Sequence, residues 1–196
     1  MNSSTGFTLI ELMITLALVS LLMTLGIPSF NEAIRNNRLT TYTNDLVTAL
    51  NLARSEAVKR NLSVSVRKSG TDWEDGWEVF TDLDSDGTFD DDGDATLCES
   101  GEDCVLRVFE ALPASFTLRG NNNFANFIRY TSAGLSNNMG SFVLCENSDG
   151  NNVPEARTAK MVIVNAVGRT RIAGDADNDG IPEKTDGTEI NSCVAF

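Results

Sequence analysis

Between Leu12 and Ile27 the chain carries no Asp, Glu, Lys or Arg, and the apolar run around this stretch extends from Phe7 to Phe30. About 20 predominantly apolar residues suffice for a helix to cross a bilayer. Residues 7–30 are therefore predicted to form a transmembrane helix. One carboxylate, Glu11, stands near its start. An acid in such a segment costs about 2.5–3.5 kcal/mol at the centre on insertion scales, and less near an interface. Glu11 thus needs a partner, or a place at the membrane edge from which it snorkels to water.

Beyond this run the chain has enough residues to bury a core of its own. It is strongly acidic, with 28 Asp and Glu against 15 Lys and Arg, which argues against general polyanion binding. There is no His, so Ser-His-Asp and Cys-His catalysis and the commonest metal ligand are excluded. The acids lie in turns and no nucleophile motif occurs, so an enzyme is not expected.

Four cysteines occur, Cys98, Cys104, Cys145 and Cys193, with no Cys-x-x-Cys pair that would suggest a zinc ribbon. An even count downstream of an export-type segment suggests disulfides in an oxidising compartment. We pair Cys98 with Cys104, closing a short loop, and Cys145 with Cys193, pinning the C-terminus. Four cysteines allow other connectivities, and free buried thiols are the alternative.

Gly26 and Pro28 weaken the helix after the apolar run, Pro by removing a backbone donor. A bend or loosened turn is expected there rather than a stop, because Leu39, Tyr42, Leu46, Ala49, Leu50, Ala53 and Ala57 resume helical spacing. This amphipathic half, residues 31–61, is expected to pack on the globular domain and to end near Arg60-Asn61. From Leu62 the pattern alternates, as in a half-buried strand. Further strands are expected at Trp77–Thr81, Val105–Ala111, Ser115–Leu118, Phe127–Tyr130, Ser141–Cys145 and Lys160–Asn165, separated by Gly, Asn, Asp and Pro. The predicted class is α+β: a long N-terminal helix on an antiparallel β domain, residues 62–196, in two sheets.

The stretch Gly6-Phe7-Thr8-Leu9-Ile10-Glu11-Leu12-Met13 resembles the processing and methylation motif of type IV pilins and type II secretion pseudopilins. The resemblance implies a leader of residues 1–6, cleavage after Gly6 by a prepilin peptidase, and methylation of the new amino terminus at Phe7. It also implies that the apolar helix holds the chain in the inner membrane, with the domain in the periplasm, until other pilins take it into a filament. Glu11 would then neutralise the amino terminus of a neighbouring subunit, which relieves the cost of an unpaired buried charge. The segments Leu52–Asn61, Gly76–Asp82 and Val167–Arg171 are similar to the GspH/FimT group of minor pilins and pseudopilins. That similarity implies a minor pilin of FimT or FimU type, with a GspH-like pseudopilin of a type II secretion system as the alternative.

Two features stand outside the anchor. Asp82-Leu-Asp84-Ser-Asp86-Gly87 and Asp175-Ala-Asp177-Asn-Asp179-Gly180 place acids at alternate positions before a Gly, as EF-hand-like calcium loops do. In the second loop Asp186 falls at the closing position, so Asp175, Asp177, Asp179 and Asp186 are the expected calcium ligands. The first loop reads equally as a solvated turn. From Ala156 to Gly174 there is no acid, while Arg157, Lys160, Arg169 and Arg171 fall inside. Gly168-Arg169-Thr170-Arg171 looks like a Gly-Arg-x-Arg element that the resemblance links to DNA capture. Pairing of these arginines with the acidic loops is the competing reading.

Overall fold

The computed structural model describes residues 6–93, 98–99 and 101–195. The side chains of Leu25, Gly26, Pro28 and Ser29 are outside the described set, as are leader residues 1–5. Helix α1 is Leu9–Arg60. Eight strands follow: β1 Val64–Lys68, β2 Trp77–Thr81, β3 Val105–Phe109, β4 Phe116–Gly120, β5 Phe127–Tyr130, β6 Gly140–Glu146, β7 Ala159–Val164 and β8 Thr170–Ile172. They form two antiparallel sheets, ordered β3-β2-β1-β5 and β4-β6-β7-β8. The chain divides into two compact units, Met1–Asn37 and Arg38–Phe196.

In the first unit the helical assignment continues through Gly26 and Pro28. The apolar side chains described there, from Phe7 through Leu16 and Leu22 to Phe30, are exposed. Among the described residues, no helix is long and apolar enough to cross a membrane.

In the second unit the helical stripe read from the sequence is the buried one. Leu39, Leu46, Ala49, Leu50, Ala53 and Ala57 are fully enclosed, with Tyr42 packed against them. Thr43, buried among them, donates its hydroxyl to the carbonyl of Leu39 at 2.7 Å. The helix stops at a left-handed residue, Asn61 (φ 57°), and the Leu62 amide reaches back to the carbonyl of Ala57 at 3.3 Å. That bond closes a Schellman-type end and starts the switch to strand.

Alternation then assigns the faces, because successive strand side chains point to opposite sides. Val64, Val66, Val79, Ile128 and Tyr130 from the first sheet join Phe116, Leu118, Phe142, Leu144, Val162 and Val164 from the second in one core with α1. Each large side chain buried this way contributes about 1.5–3 kcal/mol.

The opposite faces of both sheets are also covered. On the second sheet, Val143, Cys145, Ala159 and Met161 form a separate buried cluster with Ile190 and Cys193 of the C-terminal segment. Cys145 and Cys193 are joined by a disulfide, 5.8 Å between Cα atoms. Cys98 and Cys104 are likewise joined. On the first sheet, Ser65 and Phe80 are buried, Phe80 edge-on to Phe89 of the long β2–β3 connection.

Candidate functional site

The residues that matter for assembly stand at the start of α1. Gly6 and Phe7 are exposed. Thr8 and Glu11 form a reciprocal cap: the Thr8 amide and hydroxyl donate to Glu11 Oε2 at 2.9 and 2.8 Å, and the Glu11 amide donates to Thr8 Oγ1 at 3.3 Å. The signal was present in the sequence, since Thr-x-x-Glu before an apolar run is a capping box. Within one chain, therefore, Glu11 satisfies the first turn of its own helix. The same carboxylate keeps lone pairs for a further donor.

The first acidic loop is a built structure rather than a plain solvated turn. Asp82 is fully buried. It accepts the amides of Asp86 and Gly87 at 3.0 and 3.1 Å and the hydroxyl of Ser65 at 2.5 Å. Asp103, also buried, accepts the amides of Leu83 and Asp90 at 2.9 and 3.1 Å. Burial is the main influence on Asp103 and holds its carboxyl above the usual aspartate range. These two acids tie the loop down over the outer face of the first sheet. Carboxylate oxygens of Asp82, Asp84 and Asp86 converge within 4.8 Å, as do those of Asp91, Asp92 and Glu102.

In the second acidic loop the converging acids differ from the expected four. Asp175 and Asp177 gather with Glu183, and Asp177 and Asp179 with Glu189, each set within 4.8 Å. Asp186 instead accepts the amide and hydroxyl of Thr188 at 3.0 and 2.7 Å. The reason is local: an isolated β-bridge between Glu183 and Glu189 turns both glutamates toward the Asp residues. The Asp side chains also fold the loop, Asp175 accepting the amide of Gly180 at 2.9 Å and Asp179 that of Ile181 at 2.7 Å.

The basic residues do not share one face. Arg171 lies opposite Ile163 in β8, whereas Lys160 has the parity of Val162 and Val164 and so belongs to the other side of the sheet. Arg171 reaches Thr185 of the C-terminal segment at 3.4 Å. Arg169 precedes β8 in a tight turn, its amide donating to Asn165 Oδ1 at 2.9 Å. Arg157 sits in another turn (φ 67°), its amide bonded to the carbonyl of Gly180 at 2.8 Å.

Gly168 of the same element has a packing role. Its φ is +74°, and a methyl group there would stand 2.3 Å from the carbonyl oxygen of Gly134. Beside it Arg54 of α1 donates to the carbonyls of Gly134 and Val167 at 2.9 and 3.2 Å. Sequence reasoning placed Arg54 at the helix end without seeing this clamp, which depends on residues 80 and 113 positions away.

An exposed apolar N-terminal helix with a capped acid, followed by a disulfide-linked α+β domain, defines an assembly subunit of the pilin class. The chain belongs to the GspH family, described as type II transport protein GspH, whose model matches residues 42–168. Residues 1–27 match the prokaryotic N-terminal methylation motif. The fold is similar to that of the type IV minor pilin FimU from Pseudomonas aeruginosa strain PAO1. One crystal form is 19% identical at a TM-score of 0.53, covering 80% of this chain and 96% of FimU. A second form is 16% identical at 0.50, covering 79% and 98%. No match was found among curated proteins. Members of these families are structural, and they assemble with other pilins after processing by a peptidase.

Proposed function

We propose that this chain is a minor type IV pilin that is cut after Gly6, methylated at Phe7 and held in the inner membrane by residues 7–30 until it enters a pilus. The observation that carries this reading is the unit of exposed apolar side chains from Phe7 to Phe30 ahead of a domain whose own core is closed. An uncovered apolar helix of this length needs lipid first and other helices afterwards. Glu11 is the assembly residue. Its carboxylate is solvent-facing in the single chain, and in a filament the amino group of a neighbouring Phe7 would neutralise it.

Mass spectrometry of the membrane-extracted chain tests the processing step. The expected N-terminus is Phe7 carrying one methyl group. An N-terminus at Met1 in cells that contain the peptidase would overturn it. For assembly, Glu11→Val is expected to insert in the membrane but to be lost from sheared pili, with Glu11→Gln intermediate. Normal recovery of Glu11→Val in pili would remove the assigned role.

A further inference from the structure

Three segments far apart in sequence leave apolar side chains exposed at one place. Val58 on α1 is 54% exposed, Leu135 between β5 and β6 is 46%, and Val167 between β7 and β8 is 52%. The Arg54 clamp holds the last two segments against α1. A methyl placed on Gly134 would stand 3.0 Å from Cγ2 of Val58, so the three residues are neighbours. A groove of about 370 Å³ runs along this side of α1 between Asn51 and Lys59. Its walls are fixed, since Thr170 donates to Asn51 Oδ1 at 3.0 Å and Ser136 to the carbonyl of Asn165 at 3.1 Å.

The rim of this face is cationic in a chain of net charge −13. Arg54 and Arg169 contribute, and Lys59 and Arg60 together outweigh Glu56, with which both pair. The same chain carries the complement. Leu83, 47% exposed, stands at the tip of the β2–β3 loop with exposed Asp84, Asp86 and Asp90 near it in sequence. That tip is also fixed, because Asp103 and Asp82 hold the amides of Leu83, Asp86 and Gly87. Two preformed surfaces lose little conformational freedom on meeting. An apolar tip among acids matches an apolar patch among cations in both shape class and sign.

We propose that the Leu83 loop of one copy docks on the Val58–Leu135–Val167 face of a second copy. The contact joins two different surfaces, so it is heterologous and propagates rather than closing as a two-fold dimer. It rests on the filament reading above and adds a contact between globular domains to the one made by the N-terminal helix.

The test is oxidative cross-linking of the full chain in membranes and sheared pili. Leu83→Cys combined with Leu135→Cys is expected to give a ladder of multimers. Leu83→Cys combined with Val153→Cys, an exposed residue outside this face, is not. Adding Lys59→Glu and Arg169→Glu should cut the ladder at least about tenfold at low salt, where surface charges are least screened. Adding Asp84→Lys and Asp86→Lys as well should restore it. Absence of the ladder in a chain that is still cut after Gly6 and recovered in pili overturns the docking and leaves the proposed function standing. An equal ladder from the Val153 pair also overturns it. If the Lys59 and Arg169 changes spare the ladder but abolish retardation of a DNA oligonucleotide, the cations serve nucleic acid and the docking is wrong. Loss of cleavage itself would overturn both readings.

Discussion

Arg54 Nε donates to the carbonyl of Gly134 at 2.9 Å, and its Nη2 continues to the carbonyl of Val167 at 3.2 Å. One guanidinium thus fastens the β5–β6 and β7–β8 connections to α1. Hydrogen bonds from charged donors contribute about 1.5–3 kcal/mol each, and partial exposure reduces this. Arg54→Ala is therefore expected to lose about 2 kcal/mol, a fall in Tm of a few degrees for a chain of this size. Arg54→Lys should recover little, because an ammonium cannot present the planar fork that spans two carbonyls. Thermal denaturation of the two variants beside the wild type checks this. Equal stability of all three would remove the clamp from the account.

Gly168 supplies the space in which that clamp works. Alanine there meets the Gly134 carbonyl at 2.3 Å and also has to adopt φ +74°. Gly150 has a similar φ of +70° but open space around it. Gly150→Ala is expected to cost about 1–2 kcal/mol from the left-handed backbone alone. Gly168→Ala should exceed it by at least about 1 kcal/mol, from the contact with backbone that must shift. The difference between the variants in chemical denaturation isolates packing from backbone conformation.

The uneven legibility of this chain has physical causes. The helical stripe Leu39 to Ala57 and the strands β2 and β5 show clear periodicity, and the structure places them where that pattern puts them. β8 was missed because its three residues are partly or fully exposed and show no apolar alternation. The cover on the outer face of the second sheet was invisible for a related reason. Ile181, Ile190 and Cys193 are spaced by turns, not by a helical or strand period. Asp82 and Asp103 looked like solvated acids because burial depends on where the β2–β3 connection folds, which composition does not carry. Glu183 and Glu189 were passed over because a twelve-residue calcium-loop template has no place for a glutamate beyond its last position.

The Cys145–Cys193 disulfide fastens this irregular cover. In the chain-entropy account a link across 48 residues stabilises by about 4 kcal/mol, and one across six residues, as in Cys98–Cys104, by about 2 kcal/mol. Replacing Cys145 and Cys193 together by serine should therefore cost more than replacing Cys98 and Cys104. It should also release residues 173–195 and uncover Met161 and Val143. Hydrogen exchange is the discriminating readout: β6 and β7 amides should lose protection in the first double variant alone. Equal loss in both would mean that the tail stays in place without its link.

The C-terminal acidic loop ties stability to pH and to cations. Asp179 foremost, then loss of hydration, then Asp177, Glu183 and Asp175, hold the Glu189 carboxyl above the usual glutamate range. The Thr188 hydroxyl foremost, then its amide, hold Asp186 below the usual aspartate range. For Glu189 the folded state favours the protonated form. Its contribution is therefore present below the ordinary glutamate value and is lost as pH rises through the raised one. For Asp186 the sign reverses: its contribution is present above the ordinary aspartate value and is lost as pH falls through the lowered one. Glu189→Gln removes the repulsion and is expected to raise Tm at neutral pH while leaving it unchanged in acid below the glutamate range. Asp186→Asn should lower Tm at neutral pH and have less effect in strong acid. A divalent cation relieves the same repulsion through oxygens of Asp177, Asp179 and Glu189. Millimolar calcium should then raise the wild-type Tm at neutral pH and raise it less in Glu189→Gln. A calcium response that is the same in both chains would place the binding elsewhere, and none in either would remove calcium from this loop.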